Sequence, residues 1–312
     1  MKVLVTGNVG YIGSTTTQHL IAAGHEVIGL DIRERGGHRI PGVQQFTGSV
    51  GDKRLLETLP NFDAVIHFAG LVAVADSFLV PERYFEVNVA QSMSLLAHLL
   101  ERGTNRLIFS SSAAVYDALD MPLNERDALR PVSPYGESKR MFEEALRWVE
   151  GSTSLRYVAL RYFNAAGCLG EFYENHEPET HLIPRALEAA KHGAEFTIFG
   201  NKYRTGDGTC VRDYVHVNDV AKAHVAALDY LGTGKSTVVN IGSGRGSSNL
   251  EVIEAVEQVT GKKMRVQFGP ARLGDPAYLV ADISKADSAL NWRPLESELL
   301  TIVEDAWRGH QR

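Results

Sequence analysis

In Val3-Leu4-Val5-Thr6-Gly7-Asn8-Val9-Gly10-Tyr11-Ile12-Gly13 a short apolar run of strand character passes into three glycines spaced three apart, and a helix pattern starts near Ser14. Glycines at this place let the main chain come close to a pyrophosphate, whose charge meets the unpaired N–H groups of the helix. The context adds weight. The helix pattern closes at Gly24, and the next strand, Val27 to Leu30, ends at Asp31. An acid at the end of a second strand is where a ribose 2′-hydroxyl is held, and it repels a 2′-phosphate, which favours NAD over NADP. Arg33 and Arg35 follow closely and soften that preference. The plainer reading of Asp31 is a strand-end turn residue.

Outward from this unit, strand and helix patterns alternate. Ala64 to Phe68 reads as a fourth strand, Glu82 to Arg102 as an amphipathic helix and Leu107 to Ser110 as a strand. Glu137 to Val149 reads as a helix and Tyr157 to Arg161 as a further strand. The rhythm predicts an α/β fold, a Rossmann-type doubly wound parallel sheet with its ligands at the carboxyl ends of the strands. The chemically informative residues fall at those ends: Gly70 after His67-Phe68-Ala69, the run Ser110-Ser111-Ser112, and Phe163-Asn164. The pattern changes after Asn164, so a smaller C-terminal α/β domain is expected over 166–312, with 1–165 as the dinucleotide domain and some later segments returning to it. We assign to the second region a helix from Ile183 to Lys191, Ile198-Phe199-Gly200, a strand from Val238 to Ile241 and a helix from Asn249 to Val259.

Pro134-Tyr135-Gly136-Glu137-Ser138-Lys139 places a phenol and an ammonium four residues apart, on one face if the stretch opens a helix. A free tyrosine titrates near ~10, and a fixed positive charge beside it favours the phenolate. Lys139 supplies one such charge. A fall of several pH units needs a second cation, such as an oxidised nicotinamide ring. Alone, the pentad is better read as a chance pair on a solvated helix; beside a dinucleotide loop it becomes an acid–base candidate. Arg212 and Arg272 suit a diphosphate clamp, since guanidinium matches phosphate geometry; ordinary ion pairs, such as Arg212 with Asp213, are the other reading.

The totals bound the rest. The chain has 312 residues, 44% hydrophobic and 22% charged, with a formal net charge of -6, the profile of a soluble globular protein with no bias toward nucleic acid or an anionic membrane. The two cysteines, Cys168 and Cys210, have no metal-ligand spacing and form no disulfide framework, so no metal is expected and a reducing, cytoplasmic setting is. No apolar run approaches membrane-spanning length.

Together these residues resemble the extended short-chain dehydrogenase/reductase superfamily and, within it, the UDP-galactose (UDP-glucose) 4-epimerase family. The likeness rests on the loop Thr6 to Gly13, on His67-Phe68-Ala69-Gly70, on Ser110-Ser111-Ser112 with Val115-Tyr116, on Tyr135 to Lys139, on Glu179-Thr180-His181-Leu182-Ile183-Pro184, and most specifically on Asp207 to Asp219. The resemblance implies that Tyr135 is the catalytic base, that Lys139 tunes it and binds the nicotinamide ribose, and that Ser112 bonds the sugar 4-oxygen. It implies an NAD site at Gly7, Gly10, Tyr11, Ile12, Gly13, Asp31, Ser49, Val50, Phe68, Ala69, Gly70, Asn88, Ser110, Tyr162 and Phe163, shared with Tyr135 and Lys139. It implies a UDP-sugar site at Asn164, His181, Leu182, Thr197, Ile198, Phe199, Arg212, Arg272, Asp275 and Leu279, the last at the family's gate for the sugar C2 substituent. A homodimer through Glu82 to Arg102 and Glu137 to Val149 is also implied. Three positions depart from the pattern: Val72 for a lysine, Ile32 for an asparagine and Ser49 for an aspartate, which predicts weaker NAD retention. Ala113 and Ala114 stand where a dehydratase needs its acid pair.

Overall fold

Valine, isoleucine and leucine runs such as Val3-Leu4-Val5 suit strands covered on both faces, and the computed structural model, which describes residues 1–33, 40–117, 119–174, 179–272 and 275–311, buries them so. The strands are β1 (Lys2–Thr6), β2 (Glu26–Asp31), β3 (Gln44–Thr47), β4 (Ala64–His67), β5 (Arg106–Ser112), β6 (Arg156–Tyr162), β7 (Asn164–Ala166), β8 (Cys168–Leu169), β9 (Phe172–Tyr173), β10 (Glu195–Phe199), β11 (Val211–His216), β12 (Thr237–Ile241), β13 (Gly246–Ser248), β14 (Arg265–Gly269) and β15 (Tyr278–Leu279). The helices are α1 (Tyr11–Ala22), α2 (Lys53–Thr58), α3 (Val74–Ser77), α4 (Pro81–Phe85), α5 (Gln91–Glu101), α6 (Pro134–Glu150), α7 (Leu182–His192), α8 (Val217–Leu231), α9 (Asn249–Thr260), α10 (Ser284–Leu290) and α11 (Leu299–His310).

Seven strands form one parallel sheet in the order β12-β6-β5-β4-β1-β2-β3. The order turns back on itself between β1 and β4, and a doubly wound sheet opens its ligand crevice at such a reversal. One core packs Leu20, Val220, Ala227 and Leu228 against Val3, Val5 and Ile108; the other packs Leu95, Leu99, Phe142 and Leu146 against Leu4, Val65 and Phe109. The doubly wound reading of the sequence holds. Two details differ. Val238 to Ile241, assigned above to the second region, pairs with β6 as the edge of this large sheet, because α8 carries the chain back across it. The helix expected over Glu82 to Arg102 exists as α4 and α5 joined by a π turn at Glu86–Ala90, which seats Asn88 inward.

The remaining elements lie beyond the strand ends. β11 pairs with β7, β13 and β15, while β10 pairs with β14. α7, α9 and α11 enclose a third core of Ile183, Leu187, Phe196, Ile198, Val252, Val256 and Ile302. The capping box of α9, with Ser248 and Glu251 bonding reciprocally, satisfies the free N–H groups of that helix end.

Candidate active site

The glycine loop leaves no room for side chains. Gly7 stands at φ +73, and a Cβ there would lie 2.9 Å from the Ala69 nitrogen; one on Gly13 would lie 2.1 Å from the Gly7 carbonyl oxygen. The loop is therefore pressed against the end of β4. Helix α1 starts at Gly10 with no side-chain cap and no acid in its first turn, so its first N–H groups stay available to an anion. Asp31 is 5% exposed at the end of β2, and among the described residues its Oδ2 has no hydrogen-bond partner, while Oδ1 accepts from the Arg33 main chain at 3.0 Å. A buried carboxylate with one idle oxygen beside such a loop fits a ribose hydroxyl. Arg33 reaches back, its Nη2 3.0 Å from the place of a Gly10 Cβ. Arg35 lies outside the described residues. Tyr11 gives its hydroxyl to the Gly167 carbonyl at 2.7 Å, Ile12 packs on the core and Val50 is buried. The Ser49 hydroxyl is spent on Gln91 at 2.7 Å, whereas Ile32 and Val72 are exposed.

Across the crevice, Ser133 caps α6, accepting from the Gly136 N–H at 3.1 Å, with Pro134 at the first helical position. This start places Tyr135 and Lys139 on one face. Lys139 is 3% exposed; its Nζ donates to the Ser110 carbonyl at 2.9 Å and lies 5.9 Å from the centre of the Tyr135 ring. A Cβ on Gly70 would meet Asn88 Oδ1 at 2.9 Å and Lys139 Nζ at 3.8 Å, so Gly70, Asn88 and Lys139 converge. Asn88 holds the main chain of Leu71 at both ends and donates to Ser138. Burial drives the Lys139 ammonium down to about 8, against the pull of Glu143. Burial also raises the Tyr135 phenol, and a hydrogen bond with the Ser112 hydroxyl offsets part of this. The lowering expected from Lys139 is not found: burial raises the phenol, and the hydrogen bond with Ser112 is what opposes it. Tyr162 bonds His224 Nε2 at 2.5 Å, and Phe68 lies 4.6 Å from the same imidazole. Phe163 packs with Ala113, Val115 and Leu279, which puts Leu279 beside the Ser112 turn.

On the far side, Arg212 is buried and ion-paired to Asp275, while the Arg272 guanidinium stacks 4.3 Å above the Phe199 ring. The ion-pair reading of Arg212 is thus realised, with Asp275 as partner in place of Asp213. Asn164 sits in β7 beside β11, bonded to Tyr214. Strand alternation separates the β10 residues: Ile198 points into the third core, whereas Thr197 accepts from Gln267 at 2.9 Å. The partly buried Leu182 also packs against that core. His181 precedes α7 and donates to Glu174 and Glu179 at 2.9 Å. Burial opposes its charge, but these carboxylates win and hold the imidazole up at about 10.

The sequence reading missed several residues here. Thr6 and Ser92 hold His67 through both ring nitrogens, at 2.7 and 2.8 Å, and burial followed by the nearby Lys139 charge pushes that imidazole down to about 3. Glu143 and Arg161 form a buried pair under the serine run. Their signal was available only as charges inside apolar patterns. Asp213 and Asp219 of the Asp207 to Asp219 stretch prove to be scaffold: Asp213 accepts from Ser243, Gly244 and Ala281, and Asp219 from Leu295, Glu296 and Ser297.

Residues 3–242 match the profile of the NAD dependent epimerase/dehydratase family. The chain belongs to that family. A relative in Halalkalibacterium halodurans, a UDP-glucose 4-epimerase, is 42% identical over 100% of this chain and 96% of its own length. Among solved structures, the UDP-glucose 4-epimerase of Brucella ovis in complex with NAD superposes with a TM-score of 0.93 at 39% identity, covering 98% of this chain and 97% of that one. The Bifidobacterium longum enzyme in complex with NAD+ and UDP gives 0.93 at 34% identity, over 100% and 98%. Family membership agrees with the geometry, in which Gly7 abuts Ala69 and the next residue, Gly70, stands beside Lys139.

Proposed function

We propose that this chain catalyses the NAD-dependent 4-epimerisation of a UDP-hexose, interconverting UDP-galactose and UDP-glucose through a transient 4-keto sugar. The observation that carries it is the placement of Ser112, Tyr135 and Lys139 against the crevice of the glycine loop. Bound NAD supplies a reversible hydride acceptor for the sugar C4. Tyr135 takes the proton of the 4-hydroxyl and later returns one, Ser112 holds the 4-oxygen, and Lys139 keeps a positive charge beside the phenol. Arg212 and Arg272 grip the diphosphate while the keto sugar turns over, Asp275 takes the uridine ribose, and Phe199 borders the uracil. In this reading, 1–165 with the returning β12 binds the cofactor and 166–312 the UDP-sugar. A 4-epimerase of another UDP-sugar uses the same groups; the partly buried Leu279 beside Ala113 and Phe163 is intermediate in size and leaves room for that second reading.

We also place the protein in the cytoplasm, supported by the burial of both cysteines, Cys168 and Cys210, and as a homodimer, supported by Met141 and Trp148 on α6, 38% and 67% exposed. Among the described residues no helix is long and apolar enough to cross a membrane. The test of function is incubation with UDP-galactose and added NAD, following the anomeric proton by NMR. Conversion toward UDP-glucose until a fixed ratio is reached supports the proposal, and no conversion with NAD bound overturns the choice of sugar.

A further inference from the structure

Glu143 lies one helical turn beyond Lys139 on α6, and both side chains are buried. Its carboxylate accepts from three donors: the Ser111 hydroxyl in close contact, and Arg161 through Nε at 3.0 Å and Nη2 at 2.6 Å. Ser111 and Arg161 are register partners on β5 and β6. Ser111 is flanked by Ser110, whose carbonyl holds Lys139, and by Ser112, whose hydroxyl bonds Tyr135. One carboxylate therefore clamps α6 to the strand residue between the two contacts of the acid–base pair. Arg161 ends the network by donating to Tyr116 at 2.9 Å, and Tyr116 donates to Asn240 of β12 at 2.6 Å.

We propose that Glu143, held by Arg161 and Ser111, is a positioning residue that seats Lys139 and sustains its charge beside Tyr135. The proposal rests on the reading of Tyr135 and Lys139 as the acid–base pair. A buried ion pair is a poor source of stability, since apolar replacements often serve as well; next to a buried ammonium its acid has electrostatic use. The groups around Lys139 support this. His67 comes from β4, and burial keeps it neutral. Phe109 of β5 puts its ring centre 5.0 Å from Nζ. Arg161 of β6 meets Glu143, and Tyr84 of α4 lies edge-on to Tyr135 at 6.4 Å. Glu143 is the carboxylate that acts on Lys139 among the described residues.

The test uses the holoenzyme and three variants: Glu143→Gln, Arg161→Met and the double Glu143→Gln/Arg161→Met. Two readouts are taken: the pH profile of kcat, and the tyrosinate absorbance of each protein minus its Tyr135→Phe counterpart. Removing the negative charge moves both limbs of the profile to lower pH, by on the order of one pH unit for a charge one turn away. Removing the positive charge moves both to higher pH. The double variant, which buries no unpaired charge, shifts acidward by less than Glu143→Gln and keeps the test open if a single variant does not fold. Limbs that stay in place in the double variant overturn the proposal, whatever the loss of rate. A Tyr135→Phe enzyme that retains its rate and shows no missing titration overturns instead the reading on which it rests.

Discussion

Lys139→Met is expected to cost activity and add stability, and the structure sets the size of the gain. Burial lowers the ammonium from 10.5 to about 8, and a fall of that size equals about 3 kcal/mol against keeping the charge in the fold. Methionine fills the same volume without a charge. It leaves the Ser110 carbonyl, which now accepts at 2.9 Å, without its donor, at about 1–2 kcal/mol. The net expectation in the cofactor-free protein at pH 7 is a stabilisation of about 1–2 kcal/mol. The sign follows from linkage. Below pH 8 the lysine is charged in folded and unfolded chains alike, and the whole penalty is present; between about 8 and 10.5 the folded chain sheds the proton first, so the wild type gains stability as the pH rises. The variant's advantage should therefore shrink from pH 7 to pH 10. Urea unfolding at both pH values measures it. A variant less stable than wild type by more than about 1 kcal/mol at pH 7, or an advantage unchanged at pH 10, would refute the argument. Loss of turnover in the same variant would mark a site that trades stability for function.

Other outcomes follow from the same geometry. Gly13→Ala, whose Cβ would lie 2.1 Å from the Gly7 carbonyl, should weaken NAD binding by at least about tenfold by calorimetry, since main chain cannot yield as a side chain tip does; an affinity within threefold would count against the loop. Tyr135→Phe should lower turnover by ~10²- to 10⁴-fold, and a rate within a few-fold of wild type removes Tyr135 from the chemistry. With Ile32 and Val72 exposed and Ser49 engaged by Gln91, protein purified without added cofactor should carry less than one equivalent of NAD; a full equivalent by absorbance and extraction contradicts this. Trp148→Arg on the exposed side of α6 should give a monomer in analytical ultracentrifugation, and an unchanged dimer would place the interface elsewhere.

What the sequence alone determined were features written by local chemistry. Glycines at Gly7, Gly10 and Gly13 are required by a close main-chain approach. The spacing of Tyr135 and Lys139 puts both on one helical face, and apolar runs with helical intervals give a doubly wound sheet. Each depends on residues a few positions apart, so spacing reports it. What only the tertiary structure decided involves partners far apart in the chain. Val238 to Ile241 joins the large sheet because α8 returns across it, and Arg212 pairs with Asp275 over a separation of 63 residues. Ile198 turns inward while Thr197, its neighbour, bonds across to Gln267, a choice made by which face the third core covers. The state of the reaction centre belongs to this second kind. The pentad gives Tyr135 a cation four residues away, yet burial raises the phenol and lowers the Lys139 ammonium, opposed by Glu143, whose own anchor, Arg161, lies on another element. Desolvation depends on everything packed around a group, and spacing along the chain carries no record of it.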